Sequence, residues 1–227
     1  MSEAEAVDWV ARAIAEGRPR LVISVNPERI MRAGRDPEFA AVLRRADLAL
    51  ADGAGVLWAA RRLGHRLPGR VAGVDLLQSL AARGGREGWR FFFLGGAPGV
   101  AQAAGQALQE RYPGFILAGC HAASPDPVND ALTGEAVRSS GAQLLFLAYG
   151  AAAEEAWLAR NLTRSGAVIG MGVGGAFDFI SGRSRRAPRW MRERGFEWLH
   201  RLGREPWRWR RMLALPAFVL RVLAEPR

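Results

Sequence analysis

Short continuous apolar runs recur along this chain at residues 21–25, 48–51, 90–94, 115–119, 144–148 and 168–171. They do not alternate with polar positions, so they predict strands covered on both faces. Between them lie longer stretches with helical periodicity, at 37–45, 56–63, 76–83, 100–111, 128–139 and 154–164. Strand and helix alternating over some 170 residues predict an α/β fold. The expected form is Rossmann-like, a mainly parallel sheet with helices on both faces. No internal repeat or low-complexity segment interrupts the pattern.

In such sheets ligands bind beyond the C-terminal ends of the strands. The residues that follow the runs are therefore the place to look for a site. They are Asn26-Pro27-Glu28, Asp52-Gly53-Ala54-Gly55, Gly95-Gly96-Ala97-Pro98-Gly99, Tyr149-Gly150-Ala151 and Gly172-Val173-Gly174-Gly175-Ala176-Phe177-Asp178. Small residues there let backbone N–H groups approach a ligand closely. The loop 95–99 fits a phosphate at a helix N-terminus and equally fits a tight turn between strand and helix. It is neither a dinucleotide fingerprint nor a P-loop. Asp52 can serve as a general base beside a substrate hydroxyl or as the N-cap of the helix that follows. Asp178 can accept hydrogen bonds from a ligand or close a turn.

Other chemistries lack their residues. His65, His121 and His200 are scattered and Cys120 is alone, so no zinc pattern forms. No Gly-x-Ser-x-Gly elbow and no Asp-x-Asp triplet is present. Without that triplet, any bound diphosphate is expected to be neutralised by arginine, with no metal and no cofactor. A single cysteine forms no internal disulfide and fits a cytosolic setting. The opening Met-Ser-Glu-Ala-Glu-Ala is acidic and does not fit a secretory signal.

Charge divides the chain. Its net charge is +10, all of its basic side chains being arginine, and residues 183–227 hold thirteen of the 32 arginines against four of the 22 acids. Four of eight tryptophans lie there too: Trp190, Trp198, Trp207 and Trp209. We therefore expect two units, a Rossmann-like domain over 1–182 and a basic, aromatic, helical appendage over 183–227. Arg201, Arg204, Arg208 and Arg211 share one helical face, which Pro206 is expected to split. The apolar run from Met212, extended through Arg221 to Leu223, is shorter than the ~20 residues that span a bilayer, but suits a membrane surface. Such a tail implies an anionic partner: a phosphorylated substrate, a membrane or a nucleic acid.

Taken together, these segments resemble the WecB/TagA/CpsF glycosyltransferases, glycosyltransferase family 26. The matching stretches include Asn26-Pro27-Glu28-Arg29-Ile30, Ala51-Asp52-Gly53-Ala54-Gly55, Arg70-Val71-Ala72-Gly73-Val74-Asp75-Leu76 and Phe93-Leu94-Gly95-Gly96. They continue with 172–178, Arg186-Ala187-Pro188, 197–202 and 205–211. The resemblance implies an inverting, metal-independent transferase that moves an N-acetylmannosamine-type sugar from UDP to a GlcNAc-diphosphate-polyprenol. Its expected place is the cytoplasm, peripherally on the inner membrane face. It implies Asp52 as base and Arg201, Arg208 and Arg211 as a diphosphate clamp. Ser24, Asn26, Gly53, Arg70, Gly73, Asp75, Gly95, Gly96, Gly150, Glu154, Gly174, Gly175 and Asp178 fall at substrate-binding positions.

Besides the mild change of a family Thr to Ser24, which keeps the hydroxyl, two places depart from the family pattern. Glu154 stands where relatives carry Gln, and a carboxylate there repels a diphosphate unless an arginine pairs with it. Ala123-Ser124-Pro125 replaces an aromatic-containing loop. These departures motivate a rival reading, a non-catalytic member that binds nucleotide sugar or lipid diphosphate. The basic tail alone prompts a second rival, nucleic-acid binding, against which the pocket residues argue. Whether the chain forms a homo-oligomer is left open by its sequence.

Overall fold

The computed structural model describes residues 1–227 except Glu205, Trp207, Arg208, Pro226 and Arg227; for Glu193, Arg201, Arg210 and Arg211 it describes the backbone alone. The chain opens with α1 (Glu3–Glu16), β1 (Arg20–Val25), α2 (Pro27–Ala33), α3 (Pro37–Arg44), β2 (Leu48–Ala51), α4 (Ala54–Arg62) and α5 (Gly73–Glu87). It continues through β3 (Arg90–Gly95), α6 (Val100–Arg111), β4 (Ile116–His121), α7 (Asp130–Ser140), β5 (Leu144–Ala148), α8 (Ala153–Ser165), β6 (Ile169–Gly172) and α9 (Ala176–Ile180). Four tail helices follow: α10 (Arg189–Glu193), α11 (Glu197–Arg204), α12 (Trp209–Met212) and α13 (Ala214–Ala224).

The six strands form one sheet in the order β2-β1-β6-β5-β3-β4, every pair parallel. The expected α/β class is what the chain adopts, and all six expected strands are present, with ends shifted by at most two residues. Strand pleating sends alternate side chains to opposite faces. Phe91, Phe93, Leu144, Phe146, Ile169 and Met171 face one apolar layer with α1, α5, α6 and α9. Phe92, Leu94, Leu145 and Leu147 face the other, beneath α3, α7 and α8. Burial on both faces is why these strands read as unbroken apolar runs.

Three helices were not anticipated. The first, α1, carries its own signature: Ser2 and Glu5 form a capping box, and buried Ala6, Val10 and Ala13 line one side. Short α2 is started by Asn26, whose side chain caps the Arg29 N–H, and by Pro27 at the first turn. The five residues of α9 are too few to show a period. Either side of Pro206, α11 is described to Arg204 and α12 from Trp209, and the split expected there falls among Glu205, Trp207 and Arg208, outside the described residues.

Strand order creates the opening for a ligand. From β6 the chain enters α9 on one face, while β1 and β5 on either side lead to α2 and α8 on the other. The backbone therefore splays at the C-terminal ends of β1, β5 and β6, as at the switch points of other doubly wound sheets. Glycines in β6 let α8 lie close. A Cβ on Gly170 would meet Leu158 and Leu162 at 2.6 and 2.7 Å. We expect Gly170→Ala to cost on the order of 1–3 kcal/mol by overpacking. Urea denaturation checks it, and an unchanged midpoint would contradict the close approach of α8.

Candidate active site

A polar cleft of about 840 Å³ lies over the splayed strand ends. Ser24 and Asn26 contribute from the end of β1, Asp52 from β2, Gly96 from β3, Tyr149 and Gly150 from β5 and Val173 to Gly175 from β6. Ser24 is buried, and its hydroxyl has no hydrogen-bond partner among the described residues. A buried hydroxyl at a cleft wall without a partner is a group poised for a ligand. The Tyr149 hydroxyl is in the same condition, and its ring covers Gly95, where a Cβ would sit 2.6 Å from it.

Asp52 occupies a junction. It lines the polar cleft, a smaller cavity of about 190 Å³ and an apolar groove of about 470 Å³. It does not cap α4: Gly53 is the N-cap residue, at φ 99°, and no side chain bonds the helix end. The alternative open for Asp52 in the sequence is thus closed by the geometry. As a residue it keeps partial solvent contact, but its carboxyl lies deep. Burial pushes its pKa up to about 6, helped by the charge of Glu197 and opposed by Arg70, Arg29 and Arg186. A carboxyl with that value is ionised at neutral pH yet basic enough to take a proton.

The tail reaches this junction through ion pairs. Arg186 donates to both oxygens of Asp75, with Nη2 at 2.9 Å, and its Nε donates to Glu197 at 3.1 Å. Arg70 donates to the other Glu197 oxygen at 3.0 Å and lies 4.0 Å from Asp75. Burial works against the charge on Asp75, but the Arg186 bonds, with Arg192 and Arg70 nearby, hold it below its ordinary value. Four partly buried charges, two from the body and two from the tail, thus close a ring beside Asp52.

Beyond the ring, tail and body pack apolar surface. Phe218 and Val222 of α13 cover Ala59, Ile30 and Met31. The groove runs along this seam, lined by Trp58, Trp198, Met212, Leu215, Phe218 and Val219. On the outer side Leu213, Leu220 and Leu223 are exposed. Among the described residues no helix is long and apolar enough to cross a membrane.

The other expected site residues fall into three groups. Gly73, Gly174, Gly175 and Asp178 lie on the cleft wall with the residues above, and Asp178 has Arg183 at 3.8 Å. Gly53 and Arg70 line the apolar groove instead. Asp75, Gly95 and Glu154 are turned into the protein: Asp75 holds the tail, Gly95 lies under Tyr149, and Glu154 is fully buried. Glu154 is paired with Arg29 at 3.1 Å, which removes the anticipated repulsion. Of the clamp, Arg201 lies in α11 and Arg211 in α12, with only their backbone described, and Arg208 lies outside the described residues. Sequence reasoning assigned no role to Arg29, Glu155, Arg186 or Glu197. Their ion-pair partners lie 11 to 127 positions away, and no local spacing announces them.

Burial of Asp52 has a measurable consequence. An aspartate whose pKa is higher folded than unfolded stabilises the fold at low pH, and this contribution is lost as pH rises to about 6. Asp52→Asn removes that loss. Relative to wild type the variant should gain on the order of 2 kcal/mol between pH 4 and pH 7, read by denaturation at each pH. A stability difference that stays constant with pH would place the carboxyl in solvent.

Comparison with known proteins shows the family. The family model "Glycosyl transferase WecG/TagA/CpsF family" matches residues 1–227. An N-acetylglucosaminyldiphosphoundecaprenol N-acetyl-beta-D-mannosaminyltransferase of Bacillus subtilis (strain 168) is 31% identical over 221 residues, covering 96% of this chain and 85% of the relative. A protein of the same name from Bacillus spizizenii (strain ATCC 23059 / NRRL B-14472 / W23) is 32% identical over 213 residues, 93% of this chain and 82% of the relative. The chain, an α/β protein with a carboxylate at the C-terminal end of its edge strand β2 and a basic tail folded back over it, belongs to the WecG/TagA/CpsF family of glycosyltransferases.

Proposed function

We propose that this glycosyltransferase moves an N-acetylmannosamine-type sugar from UDP to a GlcNAc-diphosphate-polyprenol, with inversion and without a metal. The observation that carries the reading is the position of Asp52, between a polar cleft and an apolar groove. The polar cleft suits a nucleotide sugar. The groove, made by the tail and continuous with exposed leucines, suits the lipid end of the acceptor. Both relatives are named for a diphosphoundecaprenol acceptor.

The reaction is an in-line displacement. Asp52 takes the proton of an acceptor hydroxyl as that oxygen attacks the anomeric carbon from the face opposite UDP. The carbon–oxygen bond to the β-phosphate breaks, and its electron pair leaves with UDP. Arginines of the tail meet the developing negative charge in place of a metal. The same tail rests peripherally on the membrane through its exposed apolar residues and arginines. The products of such a transfer belong to cell-surface polysaccharide synthesis.

The test is transfer from UDP-N-acetylmannosamine to a short-chain GlcNAc-diphosphate-lipid, assayed in EDTA. Turnover should persist, and kcat/KM should fall with acid as one group near the Asp52 value of about 6 takes up a proton. Asp52→Asn should lose on the order of 10²–10⁴-fold in kcat with the fold intact. Full turnover by that variant removes Asp52 as base. UDP binding by the wild type with no transfer to any acceptor would establish the non-catalytic reading.

A further inference from the structure

Glu154 fills a site built for an anion. One oxygen accepts the N–H of Gly150 at 3.0 Å and the N–H of Gly174 at 2.8 Å. The other accepts from Arg29 at 3.1 Å. Two backbone N–H groups from neighbouring loops and a guanidinium are the donors that hold phosphates elsewhere. Here the protein's own carboxylate takes them. The fit is close: a Cβ on Gly172 would come within 2.5 Å of the oxygen that accepts from Arg29 and 2.8 Å of the Glu154 Cβ. Glu155 supports the arrangement from the same helix turn. It pairs with Arg29 at 2.7 Å and accepts the N–H of Ala152 at 2.7 Å, a non-glycine residue held at φ 74°.

The bonds join three walls of the cleft. Gly150 follows β5, Gly174 follows β6, and Arg29 belongs to α2 beside Asn26. All three line the 840 Å³ cleft, while Glu154 lies behind them. Gly150 and Gly174 are therefore present at the wall, but their N–H groups are turned inward and occupied. We propose that Glu154 is a positioning residue, an internal acceptor that locks the loops after β5 and β6 to α2 and withholds their N–H groups and Arg29 from the substrate. The diphosphate is then held by cations on the tail side, and the cleft wall keeps a fixed shape for the donor. This inference rests on the reading of the cleft as the donor site.

Gln at 154 keeps an oxygen for both N–H groups, whereas Ala keeps none. In Glu154→Ala the amides of Gly150 and Gly174 should exchange with deuterium faster, and UDP affinity measured by calorimetry should fall about tenfold or more as the wall loses its geometry. Glu154→Gln should retain slow exchange at both amides, with a UDP affinity between those of wild type and Glu154→Ala, because its NH2 cannot accept from Arg29. Should the alanine variant fail to fold, Gly172→Ala, which pushes Glu154 aside, should speed the same two amides and weaken UDP. Wild-type exchange in Glu154→Ala or Gly172→Ala overturns the proposal, as does exchange in Glu154→Gln as fast as in Glu154→Ala. Slow exchange that depends on Glu154 in a protein without UDP affinity upholds the lock and removes the donor reading instead.

Discussion

Arg186 is shared by two carboxylates that the sequence places far apart, Asp75 in the body and Glu197 in the tail. The enclosure of Asp52 on the tail side rests on that sharing. It joins α11 to Arg70 and the body, while α13 packs over Ala59, Ile30 and Met31 to form the groove, so that Asp52 lies between two environments. Paired charges are costly to bury, and removing one partner leaves the other uncompensated. A ring of two arginines and two acids therefore fixes where the tail lies more firmly than apolar contact alone, because a shifted tail would strand charges at a half-buried site.

The same ring bears on the chemistry. Glu197 disfavours the ionised form of Asp52 and Arg70 favours it, so the tail helps set the basicity of the group it covers. Glu154 and Arg29 play the parallel part behind the polar cleft, where a buried pair shapes the wall. The polar cleft and the junction at Asp52 are thus each organised by paired charges set behind or beside their walls.

Much of the fold was legible because burial on both sides leaves a plain trace. Runs such as 91–94 and 144–147 are apolar at every position, and no other half of the pattern was needed. The strand ends could be found by the same reading, which brought Asp52, Asn26 and the glycines of β6 into view. What stayed hidden has one physical cause. Asp75 and Glu154 were visible as residues but not in their roles, because each is defined by an arginine brought near only by the fold. Glu154 in particular reads in the sequence as an anion facing substrate, and in the structure it faces inward. The groove was equally invisible, since Trp58 and Phe218 lie 160 positions apart and meet only when the tail folds back.

The central claim, that the tail is held in place by Arg186 on Asp75, is tested most directly by a double-mutant cycle on kcat/KM. The variants are Asp75→Asn, Arg186→Gln and the two combined. If the pair acts as one unit, the double variant should lose no more than the worse single variant, to within about threefold. Losses that multiply across the two substitutions would show that the residues act independently, and would contradict the account.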